Sequence, residues 1–163
     1  MQLVPTYLPS IEYMAELVAK PIHFTLRTNY QKQTYRNRCS IYGANGKLNL
    51  IIPVEHNKVL AHQKDGDVKI KWNENWQKQH WKSIASAYSS SPFFEFYEDE
   101  LKAAFFMQPK TLAAFNQGLL RCIFEWLDLE DEFLFSDKYK ALTPLEEYLL
   151  NPKQESDKLF PKY

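Results

Sequence analysis

The dipeptide Asn45-Gly46 lies between two β-leaning runs, Arg38 to Gly43 and Lys47 to Val54, and constrains the fold more tightly than any other local signal in the chain. Asn followed by Gly best tolerates the two positive φ angles of a type I′ turn, so these residues predict an antiparallel hairpin. Upstream, Gln2 to Val4 reads as a strand running into Pro5-Thr6-Tyr7-Leu8-Pro9, which cannot be helical because each Pro restricts the residue before it. Ser10 then caps a helix carried by Ile11, Met14, Leu17 and Val18 and stopped by Pro21, and Ile22 to Leu26 reads as the next strand. Strand, helix and strand in such close order predict a parallel pair. The polar stretch Glu55 to Gly66 reads as a loop and Asp67 to Lys71 as a further strand, so the expected sheet is mixed.

From Trp72 onward the period changes from two to that of a helix. Trp76, His80, Ile84 and Tyr88 are four apart, with Trp81 and Ala85 beside them, and predict one helix with a broad aromatic stripe. Ser91-Pro92 predicts the start of a second helix with Phe94, Leu101 and Phe105 inward, ended by Gln108-Pro109. Leu112, Phe115, Leu119, Cys122 and Trp126 step 3-4-3-4 and predict a third. An acidic connection from Asp128 to Asp137 follows, carrying Phe133 and Phe135, and Thr143-Pro144 with Glu146 forms a capping box for a last short helix closed by Asn151-Pro152. The expected fold class is α/β: a small mixed sheet with an N-terminal strand-helix-strand unit and a β-hairpin, packed against a helical C-terminal half. At 163 residues, with 45% hydrophobic residues and only 4 Gly, residues 1–163 read as one globular domain.

Composition excludes several functions. Net charge is zero, so the chain lacks the basic excess of a general nucleic-acid binder, and no nucleic-acid partner is expected. The zero is divided, because residues 1–82 carry 12 Lys and Arg against 6 Asp and Glu, whereas residues 83–163 carry 8 against 14. That asymmetry either steers an anionic ligand toward the first half or draws the two halves together on folding. No run of about 18 apolar residues is present to span a membrane as a helix. Cys39 and Cys122 lie far apart without metal-ligand spacing and no leader-like segment precedes the first periodic one, so a reducing cytoplasm is expected.

The familiar catalytic signatures are missing: no P-loop, GxGxxG, GxSxG, HExxH or CxxC occurs. The four His residues, His23, His56, His62 and His80, are scattered, so neither a metal nor a cofactor is expected. The most chemically loaded stretch is Tyr30-Gln31-Lys32-Gln33-Thr34-Tyr35-Arg36-Asn37-Arg38, which can be read as an anion grip or as a solvated loop. His80, on the Trp76 face of its helix, can be read as a hydrogen-bonded packing residue or as a general base. Glu98, Asp99 and Glu100 are adjacent on a helix, where their side chains diverge and cannot share a site.

Pro5-Thr6-Tyr7-Leu8-Pro9 with Tyr13, the Tyr30 to Cys39 stretch, Asn45-Gly46, Pro53-Val54, His80-Trp81, and Ala87-Tyr88 leading to Pro92-Phe93-Phe94 resemble, in order and spacing, the WbqC-like protein family over nearly the whole chain. The resemblance implies a bacterial protein of O-antigen or other surface-polysaccharide biosynthesis, in which glycine or another aminoacyl group is transferred to a sugar. It implies a small-molecule ligand, a nucleotide-linked amino sugar, held by Tyr7, Tyr30, Asn37, Arg38 and Tyr88, with Arg38 on an anionic group, Asn37 orienting it and His80 as the candidate for proton transfer. The chain also departs from the family pattern. Leu3-Val4 stand where His-Gln is usual, Glu12 where Gly is usual, and Thr25-Leu26-Arg27-Thr28 where acidic residues are frequent. The end at Phe160-Pro161-Lys162-Tyr163 is shorter than the family's, which continues through an Asn-Leu-Ser segment. A divergent, non-catalytic binding or assembly protein is therefore the alternative expectation.

Overall fold

A computed structural model describes residues 1–19, 23–55, 63–72, 75–129, 133–136 and 138–153. The chain enters as strand β1 (Gln2–Leu3), crosses through helix α1 (Ile11–Ala19) and returns as β2 (His23–Thr25), which pairs parallel with β1 in the register Gln2 to His23 and Leu3 to Phe24. Ser10 caps α1, its Oγ accepting the Tyr13 N–H at 3.3 Å. Strands β3 (Arg38–Gly43) and β4 (Gly46–Ile51) form the hairpin. Helices α2 (Trp76–Tyr88), α3 (Phe94–Phe105) and α4 (Leu112–Trp126) follow, then β5 (Leu134–Ser136) and α5 (Pro144–Leu149). The fold is α/β with a helical C-terminal half.

Local detail departs from the sequence reading in five places. The strands divide between two sheets, a parallel one in the order β1-β2-β5 and the separate antiparallel hairpin. Leu134 to Ser136, inside the acidic connection, supplies the third parallel strand, because Phe135 packs on Phe24 of β2 with ring centroids 5.8 Å apart. The hairpin closes with Gly43 opposite Gly46, which moves the turn back onto Ala44-Asn45, and only Gly46 takes a positive φ, of 95°. A single left-handed glycine after an ordinary turn replaces the two positive angles of type I′. Asp67 to Lys71 is not a strand: Asp65–Asp67 is one 3₁₀ turn, and Ile70 makes only an isolated bridge to Val54. One helix start also shifts: α2 begins at Trp76, as its stripe does, but Ser91-Pro92 forms the turn before α3, with the Phe94 N–H donating to the Ser91 carbonyl at 3.1 Å.

Two apolar clusters fill the interior, and α4 serves both. Leu112, Phe115 and Leu119 pack with Tyr7, Ile52, Trp76 and Phe105. Leu120 and Phe124, on the adjoining face, pack with Leu3, Tyr13, Phe24 and Leu149. Asn116 is buried among these α4 residues, and its Nδ2 donates to the carbonyls of Pro5 at 3.0 Å and Arg36 at 2.8 Å. One amide thereby fixes both the first loop and the segment before β3 to the central helix.

Polar groups are buried where chain segments cross. The Arg36 side chain is 2% exposed, and its Nε donates to Asp65 Oδ1 at 2.7 Å while Thr28 Oγ1 donates to Asp65 Oδ2. The Asp65 N–H bonds the Thr28 carbonyl and the Gly66 N–H the Leu26 carbonyl, each at 3.0 Å. Gly66 allows this approach, since a Cβ there would stand 3.1 Å from that of Leu26. Burial raises the pKa of Asp65, and Arg36 and Thr28 oppose the shift. Removing one member of a buried pair strands the other, at a cost of about 3–5 kcal/mol. Asp65→Ala should lower unfolding free energy by that order, whereas an exposed control, Asp67→Ala, should change it by less than about 0.5 kcal/mol, as measured by urea denaturation.

The capping box of α5 does more than cap. Glu146 Oε2 accepts the Thr143 N–H at 2.8 Å, and Oε1 accepts the Gln2 N–H of β1 at 2.6 Å. Burial pushes its pKa up, but the backbone N–H groups of Thr143 and Gln2, with the Thr143 side chain and Lys140, outweigh it and hold the carboxyl below 4.5. A lowered folded pKa contributes stability that is full above the unfolded value and lost as pH falls through the folded one. Wild-type stability should therefore decline below about pH 4.5. Glu146→Gln should be less stable at pH 7 and show a flatter acid limb in thermal melts across pH 3 to about 7.

Candidate functional site

An open groove of about 750 Å³ runs between the first loop, the hairpin and the α2–α3 corner. One wall is Leu8 to Glu12 with Tyr35, the floor is Cys39 to Tyr42 of β3 with Ile84, and the opposite wall carries Tyr88, Phe93, Phe94, Tyr97 and Trp126. The lining is mainly apolar and aromatic, with Ser10, Glu12, Ser40, Lys47 and Ser91 spaced around it. Phe93, at 66% exposed, and Tyr42, at 69%, present open ring faces.

Each wall has an identifiable anchor. The Tyr7 N–H donates to the Tyr35 carbonyl at 2.8 Å, joining the first loop to the segment before β3. Leu8 next to it has φ of 44°, a left-handed conformation costly for a branched side chain and held there by the bonded residue before it and the Pro after it. On the far wall the Trp126 indole Nε1 donates to Glu100 Oε2 at 2.6 Å and its ring packs on Tyr97 at 4.8 Å. Glu100 is thus engaged in orienting an aromatic wall, and Glu98 and Asp99 do not share its partner. The Cys39 thiol in the floor is pushed up to about 12 by burial and stays protonated at neutral pH.

The residues expected to bind a ligand separate into three places. Tyr88, 40% exposed, lines the groove. Tyr7 is wholly buried, its Oη 3.0 Å from His80 Nδ1 and its ring stacked on the imidazole at 5.9 Å. His80 is 7% exposed and meets Trp76 edge-on, and burial lowers its pKa to about 4. Burial likewise raises Tyr7, with a further contribution from Cys39, so the bond joins two neutral groups at pH 7. Neither ring lines the groove.

Asn37, Arg38 and Tyr30 occupy the third place, beside the Arg36–Asp65 pair. Asn37 Nδ2 donates to the Ile52 carbonyl at 3.0 Å, and its own carbonyl accepts the Ile52 N–H at 2.8 Å, which sets the entry of β3 against the chain leaving β4. Arg38 opens β3 half-buried, and its Nε finds no acceptor among the described residues. The half-buried Tyr30 has an Oη without a partner among the described residues, and burial pushes its pKa up to about 12. Sequence reasoning passed over Asn116 and read Arg36 only as one member of the Tyr30 to Arg38 stretch. Nothing in the spacing separates Arg36 from Arg38, and Asn116 sits at a helix position that polarity alone would assign to solvent. Among the described residues no three His, Cys, Asp or Glu side chains are grouped to hold a metal ion, and His56 and His62 lie outside those residues.

No helix among the described residues is long and apolar enough to cross a membrane. Comparison with curated proteins finds no match, and comparison with solved structures finds none either. The family model described as the WbqC-like protein family matches residues 4–157, nearly the whole chain, and on that match the chain belongs to the WbqC-like protein family.

Proposed function

We propose that the groove binds a nucleotide-linked amino sugar and that the chain is an aminoacyl (glycine) transferase acting on sugar precursors of bacterial O-antigen or another surface polysaccharide, working in the cytoplasm where such activated precursors are made. The observation that carries this reading is a convergence. Leu8 and Pro9, Tyr35 with Cys39, and Tyr88 with Phe93 and Phe94 come from three separated segments that bear the family resemblance, and all of them line one groove. Exposed aromatic faces suit the apolar face of a sugar ring or a base, and sparse hydroxyls with one carboxylate and one ammonium suit its polar edge. In the transfer the sugar amine attacks the acyl carbonyl, a C–N bond forms, the acyl carrier departs and the amine loses a proton. His80, the candidate that the family resemblance implies, is the proposed acceptor of that proton, and Tyr7 is its hydrogen-bond partner. Asn37, Arg38 and Tyr30 are proposed to hold the substrate's anionic group.

A second reading, binding without turnover, is favoured by one observation. Tyr7 and His80 are buried against each other, and the groove's lining contains no histidine. Thermal shift and product assays with nucleotide-linked amino sugars and amino acids separate the two readings. Tyr88→Ala should weaken ligand binding about tenfold or more, the scale of losing one aromatic stacking contact of roughly 1–3 kcal/mol. Under the transferase reading, His80→Gln should abolish product formation while leaving binding within about twofold. Stabilisation by the sugar with no product from any acyl donor, in the wild type as in His80→Gln, would establish the binding reading. Indifference of the Tyr88→Ala complex to the substitution would remove the groove from both.

A further inference from the structure

The hairpin is a sheet of two strands, so each strand keeps one edge that its partner does not use. Register decides which backbone groups lie there. The Ile52 N–H donates to the Asn37 carbonyl at 2.8 Å, and with Arg38 opposite Ile51 and Cys39 opposite Leu50 the hydrogen-bonded positions of β3 are Cys39, Ile41 and Gly43. The N–H and C=O groups of Ser40 and Tyr42 therefore point away from β4. No backbone partner for them is present among the described residues.

The groove runs along this edge. Cys39 and Ile41 turn their side chains to the core, whereas Ser40 and the exposed Tyr42 occupy the other face of the strand. A cavity lined by all four consecutive residues touches both faces, and β4 adds only Lys47 to it, so the cavity meets β3 edge-on. The outward groups of Ser40 and Tyr42 recur there at the two-residue repeat of about 7 Å. An extended peptide presents its own N–H and C=O groups at that spacing and its side chains to the apolar and aromatic walls. A ring-shaped ligand matches the walls but not the repeat. The lining holds one carboxylate, Glu12, and one ammonium, Lys47, so its formal charges balance and favour an occupant without net charge.

We propose that the groove accepts a short extended peptide segment, apolar and without net charge, which pairs with the free edge of β3 as an added strand. The proposal rests on the groove as a ligand site and on neither the sugar nor the transfer reaction. Main-chain bonds to Ser40 and Tyr42 set the register of the peptide, and Tyr88, Phe93 and Tyr97 on the far wall select its side chains.

The test uses the full, isotopically labelled chain and capped pentapeptides, acetyl-Thr-Xaa-Thr-Xaa-Thr-amide with Xaa as Phe, Leu, Lys or Glu, titrated to millimolar concentration and followed by amide NMR and hydrogen exchange. The Phe and Leu peptides are expected to bind and, at saturation, to slow exchange at the Ser40 and Tyr42 amides about tenfold or more. The amides of Lys47, Asn49 and Ile51, which point from the outer edge of β4, should not change. N-methylation of one alternate set of peptide amides should raise Kd about tenfold or more, and N-methylation of the other set should leave it within about twofold. Ser40→Pro removes an outward donor while sparing the β3–β4 ladder and should weaken binding by a similar factor; exchange in the wild type carries the test if that variant fails to fold. No change at Ser40 or Tyr42 with any peptide, protection confined to the β4 edge, or equal sensitivity to both N-methylated sets overturns the added strand. Tighter binding of the Lys or Glu peptide than of the Phe and Leu peptides overturns the neutral, apolar occupant. A failed peptide test beside nucleotide-sugar binding that is lost in Tyr88→Ala leaves the groove reading intact, whereas failure of both ligand classes removes the groove as well.

Discussion

Burying the guanidinium of Arg36 against the carboxylate of Asp65 sets the terms for everything around it. Taking both charges out of water is costly, and their attraction offsets that cost only when the remaining donors and acceptors are also placed. Thr28 reaches the second carboxylate oxygen, Thr34 the guanidinium, and the Arg36 carbonyl is claimed by Asn116 of α4. Three stretches of chain that are distant in sequence, around Thr28 to Arg36, Asp65 and Asn116, are thereby held together. The first loop, which hangs from the same Asn116 through Pro5 and from Tyr35 through Tyr7, inherits its position from this arrangement. So does the groove that the loop borders.

The groove and the polar centre differ in what lines them. The groove is aromatic, open and only sparsely charged, suited to ring faces. The residues around Arg36 offer directional donors with little apolar surface. The segment from Tyr30 to Cys39 contributes to each, since Tyr35 and Cys39 line the groove while Arg36 is buried against Asp65 in the polar centre. The buried Tyr7–His80 pair joins the first loop to α2 beside the larger apolar cluster, through a bond between two neutral groups.

Much of the fold was legible because its signals are local. The 3-4-3-4 spacing from Leu112 to Trp126 gives the span of α4, and Thr143 with Glu146 gives the capping box with both of its bonds. The residues of the hairpin strands were also readable, while the turn between them was offset by one position, since Gly46 can satisfy either geometry and only cross-strand pairing decides. Strand β5 was hidden because three residues in an acidic stretch carry no detectable alternation, and they become a strand only on meeting β2. Arg36 and Arg38 look alike in sequence, and burial alone separates their roles. The groove was invisible for a related reason: its lining comes from separated segments, and Tyr88 was placed in it by family pattern, not by any local property.

The parallel sheet has a temporal implication. Its outer strand comes from residues 134–136, and the backbone N–H at Gln2 is satisfied by a carboxylate 144 positions later. During synthesis from the N-terminus, β1 and β2 must therefore wait, partly unpaired, until almost the entire described chain has left the ribosome. Contacts of such long range slow folding and prolong the exposure of strand edges. The helical half, rich in near-neighbour contacts, has the means to assemble around α4 first and then receive the strands that precede it, which makes β1 and β2 among the last elements to settle.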